Sequence, residues 1–144
     1  MIKSVLVGVA LLAAGSSGAS SKAIPESEKS LVGVWELSQE SKERFIPECR
    51  GMQLEFTADG YLTRKTGELV YTTRVEVVPA GERYRLVEHL ESENGAHGCG
   101  GKDASFVIEH LKINAYVRSE GDHLFYYRSR NRGDFIAFNR VAAS

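Results

Sequence analysis

No apolar run in this 144-residue chain approaches the roughly 20 residues that a membrane-spanning helix needs. The longest, residues 5–14, is half that length and is broken by Gly15, Ser16, Ser17 and Gly18. An excess of one charge is missing too: 18 Lys and Arg stand against 19 Asp and Glu, a formal net charge of −1. Nucleic-acid binding usually needs a concentrated basic face, so that partner class is not expected. Arg128, Arg130 and Arg132 do cluster, but they alternate with Ser129 and Asn131 and precede Asp134, which reads as a solvated turn. Only two cysteines occur, and His97 with Cys99 offers two metal ligands at an unusual spacing with no second pair to complete a tetrahedral set. No metal or cofactor is expected. The four histidines, His89, His97, His110 and His123, are scattered, and no Ser/His/Asp, Cys/His or paired-carboxylate spacing stands out. Glu109 and His110 are adjacent, but neighbours on a strand face opposite ways. Nothing in the pattern points to an enzyme.

What is present begins with an export signal. Lys3 supplies a positive start, residues 5–14 an apolar stretch, and Ser17-Gly18-Ala19 the small residues that a signal peptidase requires. Residues 1–19 are therefore expected to be removed, with cleavage possible up to residue 23, and no membrane span is expected to remain. Residues 20–30 read as a flexible leader and residues 31–144 as one domain. The expected location is a periplasm or the outside of the cell. In that compartment Cys49 and Cys99 are expected to pair. Closing a loop of 50 positions stabilises by roughly 4 kcal/mol in the chain-entropy model.

Turn chemistry divides the domain into strands. Residues 33–38, 52–57, 61–65, 68–78, 83–91, 106–118, 123–129 and 135–141 carry apolar alternation, with Asp59-Gly60, Thr66-Gly67, Pro79-Ala80-Gly81 and Glu120-Gly121-Asp122 between them. Residues 106–118 also fit a helix through Val107, Ile108, Leu111 and Tyr116. Eight meandering strands predict an all-β fold, an eight-stranded antiparallel up-and-down barrel. In such a meander both long connections, residues 39–51 and 92–105, fall at one end, the mouth. Each carries one cysteine, so topology and compartment predict the same disulfide.

At the opposite end, Gly33-Val34-Trp35 opens the first strand and Arg140 finishes the last. Here the chain resembles the lipocalins and their bacterial lipocalin-like relatives. That resemblance implies that Gly33, Trp35 and Arg140 close the base, with the guanidinium over the indole. There is no counterpart of the family's Thr-Asp-Tyr element, and the chain ends four residues after Arg140. A weaker resemblance, to exported bacterial metalloprotease inhibitors, rests on a small disulfide-bonded barrel beginning with Gly-x-Trp. It implies an N-terminal segment that enters a protease cleft.

With Trp35 and Arg140 inward, strand parity turns Leu37, Leu54, Phe56, Leu69, Val75, Val77, Tyr84, Leu86, Leu90, Leu124, Ile136 and Phe138 inward too. A polar set shares that face: Tyr71, Thr73, Glu88, Tyr126 and Arg128. One reading is an internal bridge between Glu88 and Arg128, with the tyrosines satisfying each other. The other is a ligand site that orients the polar or anionic end of a small apolar or amphipathic guest. The expected function is a binding or sequestering protein; the alternative is a protein–protein module acting through the N-terminal arm or the barrel rim, with an exported protease as partner.

Overall fold

The computed structural model describes residues 23–112, 115–128 and 133–141. Eight antiparallel strands close into a barrel in sequence order: β1 (Gly33–Leu37), β2 (Gln53–Phe56), β3 (Tyr61–Thr66), β4 (Leu69–Ala80), β5 (Arg83–Glu93), β6 (Tyr116–Glu120), β7 (His123–Tyr127) and β8 (Phe135–Arg140). The closing seam pairs Trp35 with Arg140 and Leu37 with Phe138. Alternation drives the strands: in β4, Leu69, Tyr71, Thr73, Val75 and Val77 are buried, while the residues between them are more exposed. A register shift between Thr72 and Thr73 bends the long β4–β5 ribbon around the barrel.

The base is closed by side chains and by the incoming chain. The Arg140 guanidinium lies 4.2 Å from the centre of the Trp35 ring. It donates to the Val32 carbonyl at 2.6 Å and to the Ser30 carbonyl at 2.7 Å, while Trp35 Nε1 donates to the Leu31 carbonyl at 2.9 Å. Gly33 sits at a φ of +140°, and a β-carbon there would lie 2.6 Å from Arg140 Nη1, so only glycine lets the cation settle over the indole.

The stretch expected as a flexible leader is, from Ala23 onward, part of this closure. Ile24 N–H donates to the Ala58 carbonyl at 3.0 Å, a 3-10 helix spans Glu26–Leu31, and Ile24 and Leu31 belong to the main core. Two apolar side chains flanking one short turn find the open base of the barrel and fill it. The expected signal peptide lies outside the described residues.

The mouth is built from the long connections. The first holds α1 (Gln39–Lys42) and a 3-10 turn, Pro47–Cys49. Ser38 caps α1 by accepting from Ser41 N–H, and the buried Ser41 hydroxyl accepts from Ala137 N–H at 2.9 Å, pinning this loop to β8. The second connection holds α2 (Ala104–Lys112), so the segment expected as a strand over 106–118 divides into a helix followed by β6. Its helical spacing wins because Ala104, Val107 and Ile108 pack together against Leu69 and Tyr71. Cys49 and Cys99 are bonded, with Cα atoms 5.1 Å apart, and tie the two loops together. The β3–β4 turn packs closely beneath them: Gly67 has a φ of +63°, and a β-carbon would meet Cys99 N at 2.6 Å.

Candidate functional site

The barrel interior holds a closed polar network. Arg64 and Glu88 form a bidentate pair, Nη1 to Oε1 and Nη2 to Oε2, the latter at 2.8 Å. Both side chains are almost fully buried, at 4% and 2% exposure. Arg64 Nη2 also donates to the Tyr126 hydroxyl at 3.1 Å, and Thr73 Oγ1 donates to Glu88 Oε1 at 2.7 Å. Burial works against the Arg64 charge, but Tyr126 and Glu88 outweigh it and hold its pKa above the ordinary value. Every charge here is met inside the protein, as a buried pair requires.

Tyr71 completes the group. Its hydroxyl is buried with no hydrogen-bond partner among the described residues, and its ring lies 5.7 Å from the Arg64 guanidinium. Burial pushes this phenol up from 10.0 to about 12, with Arg64 partly opposing the shift. The folded state therefore holds the proton more tightly than the unfolded chain does. That stability is full below pH 10 and falls as the pH rises towards 12, where only the unfolded chain ionises. Two pH units correspond to roughly 3 kcal/mol. Tyr71→Phe is expected to flatten the loss between pH 9 and 11.5 in urea unfolding; an unchanged slope would place the phenol in water.

The expected ligand set therefore separates. Tyr71, Thr73, Glu88 and Tyr126 do meet inside the barrel, but around Arg64. Arg128 does not join them, so the expected bridge from Glu88 to Arg128 is replaced by one from Glu88 to Arg64. The reason is local: β7 ends at Tyr127, and Arg128 leaves the strand alternation and is exposed. Leu90, also expected inside, is 42% exposed: β5 stays paired with β4 as far as Glu93 but pairs with β6 only at Tyr84 and Arg85, so its later residues have β4 alone beside them. Arg64 is absent from the inward set because the short strand 61–65 is mostly polar and its own alternation selects no inward face. The hairpin register would have supplied it, since Leu54 pairs with Arg64 and Phe56 with Leu62, and paired residues share a face.

A cavity of about 70 Å³ opens at the mouth beside this network. Phe45, Met52, Leu54, Ile136 and Phe138 give it apolar walls. Arg64, Thr66 and Tyr126 line it on the buried side, and Arg128 is its one exposed charged liner. A second crevice, about 260 Å³, lies near the base where residues 23–25 pass Val75, Glu76 and Val77. The mouth cavity reaches the internal network through Arg64 and Tyr126 and the surface through Arg128. Among the described residues no cluster of three or more His, Cys, Asp or Glu side chains is placed to hold a metal, and Cys99 is spent in the disulfide. His97 instead faces Asp103 at 3.4 Å, and His123 faces Asn139 at 3.0 Å. No described helix is long and apolar enough to cross a membrane.

Comparison with family models, curated proteins and solved structures finds no match. The fold itself defines the class: a disulfide-tied, closed eight-stranded antiparallel barrel, compatible with a lipocalin-like architecture.

Proposed function

We propose that this protein is an exported, non-catalytic lipocalin-like binding module that receives the apolar end of a small amphipathic guest at the barrel mouth. The observation that carries this reading is the mouth cavity, with apolar walls and Arg128 at its outer edge. Pockets that engulf drug-sized ligands measure roughly 300–1,000 Å³. At about 70 Å³ this one suits a short branched alkyl group, not a long chain lying in the lumen. The orientation also reverses the sequence expectation. Arg64, Glu88, Thr73 and Tyr126 already bond to one another and leave no internal charge unmet, so the guest enters apolar end first and leaves its anionic head outside, facing Arg128. The disulfide supports an oxidising compartment.

The alternative, a protein–protein module such as a protease inhibitor, has two forms. Its N-terminal-arm form draws little support, because Ile24 and Leu31 are folded into the core. Its rim form keeps support from exposed apolar groups around the mouth.

The test compares 3-methylbutanoate with 3-methylbutanol. An exposed ion pair contributes about 0.5–1 kcal/mol. Arg128→Ala is therefore expected to weaken the carboxylate roughly two- to fivefold and leave the alcohol unchanged, while Ile136→Trp removes binding of both. Binding that survives the filled cavity would overturn the proposal.

A further inference from the structure

We infer that the buried, otherwise apolar end of the guest carries a carbonyl oxygen received by the hydroxyls of Thr66 and Tyr126, so that the preferred ligand is a short oxo acid. This inference rests on the mouth-cavity reading and deepens it to a substrate class.

It follows from the donors and acceptors on the cavity wall. Four polar side chains line the cavity: Arg64, Thr66, Tyr126 and Arg128. A guanidinium has only N–H donors, so neither arginine can accept from a guest. The two hydroxyls could do both, but part of each is taken. Tyr126 accepts from Arg64 Nη2 at 3.1 Å, and Thr66 Oγ1 accepts from Cys99 N–H at 3.5 Å. Neither hydroxyl donates to an acceptor among the described residues. The carboxylate of the network, Glu88, receives Arg64 and Thr73 instead. Thr66 and Tyr126 are buried, at 4% and 7% exposure, so their unspent protons lie on an otherwise apolar wall, shielded from bulk water.

Size and charge narrow the group that meets them. At about 70 Å³ the cavity leaves a seated group within reach of its whole wall, and Leu54, Ile136 and Phe138 keep the other faces apolar. A methyl ketone suits both sides: its oxygen accepts two hydrogen bonds and brings no donor of its own, while its methyl group lies against the apolar wall. An ammonium would face two guanidinium groups. A carboxylate would add an unpaired charge beside the settled Arg64–Glu88 pair, so the charged end stays outside at Arg128.

The experiment compares two acids of similar shape, 4-oxopentanoate and 4-methylpentanoate, in which a carbonyl oxygen is set against a methyl group. A cavity without donors favours the methyl compound, because the ketone must give up its hydrogen bonds to water. Here the order is expected to reverse, with 4-oxopentanoate binding the purified protein at least threefold tighter in amide-shift titrations. Thr66→Val and Tyr126→Phe are each expected to cost the oxo acid at least threefold and to leave 4-methylpentanoate within twofold of wild type. The ketone stretch of the bound oxo acid, isolated by carbon-13 substitution, is expected near its frequency in water and higher in both variants. Should a variant not fold, the wild-type order and frequency still decide. A bound ketone stretch at its hydrocarbon value overturns the inference. If 4-methylpentanoate shifts Phe45 and Ile136 and the oxo acid binds no tighter, only this inference fails. If neither acid shifts them, the mouth-cavity reading fails with it.

Discussion

Glu88→Ala is expected to destabilise the protein by about 3–5 kcal/mol, because it leaves the Arg64 charge buried without a counter-ion. The desolvation of both ions is already offset in the native state by the bidentate contact, the Tyr126 hydroxyl and Thr73. Removing one partner keeps the desolvation cost of the other and forfeits the attraction. Removing both is a different matter. Arg64→Met with Glu88→Leu keeps the volume and discards both charges, and is expected to recover most of the loss. Urea unfolding of the wild type, the single variant and the double variant provides the comparison. A single-variant loss below about 1 kcal/mol would mean that the pair is solvated and that the polar centre is open.

The second large effect belongs to the base. Trp35 is fully buried, and Trp35→Ala is expected to cost about 3–5 kcal/mol through the cavity it opens. At roughly 4 °C per kcal/mol for a domain of this size, Tm falls by about 12–20 °C. Arg140→Ala loses two hydrogen bonds to carbonyls and the contact over the indole, and is expected to cost less, about 1–3 kcal/mol. Arg140→Ala acts at the end away from the mouth, whereas Trp35 pairs with Leu54 of the cavity wall. Guest affinity in the folded fraction of Arg140→Ala is therefore expected to stay within twofold of wild type. A variant of normal stability that no longer binds would contradict the separation of closure from recognition.

The global architecture was legible because it depends on features that sequence carries directly: alternation, turn residues and the order of the strands. The meander brings Trp35 to Arg140 at the base and Cys49 and Cys99 to one mouth, and the expected oxidising compartment pairs the two cysteines. Parity also placed Tyr71, Thr73, Glu88 and Tyr126 inside. The failures share a cause, which is that parity holds only while a residue stays in its strand. Arg128 lies just beyond the end of β7, and Leu90 lies where β5 has parted from β6. Arg64 was the opposite case: an arginine on a short polar strand, inside because its hairpin partner Leu54 is inside. Segments 24–31 and 104–112 were harder for another reason. Each takes its structure from the surface it covers, the open base in one case and Leu69 with Tyr71 in the other. Local propensity carries little of that information.

The central claim is that recognition occurs at the mouth, apolar end first, with the guest seated beside the internal Arg64–Glu88 pair rather than deeper in the core. The most direct measurement is the set of nuclear Overhauser contacts between the methyl groups of bound 3-methylbutanoate and the protein. Contacts with Phe45, Met52, Leu54 and Ile136 are expected, with the carboxylate perturbing Arg128. Methyl contacts with Val77 and Leu86, buried deeper in the main core, would instead place the guest inside the barrel and contradict the account.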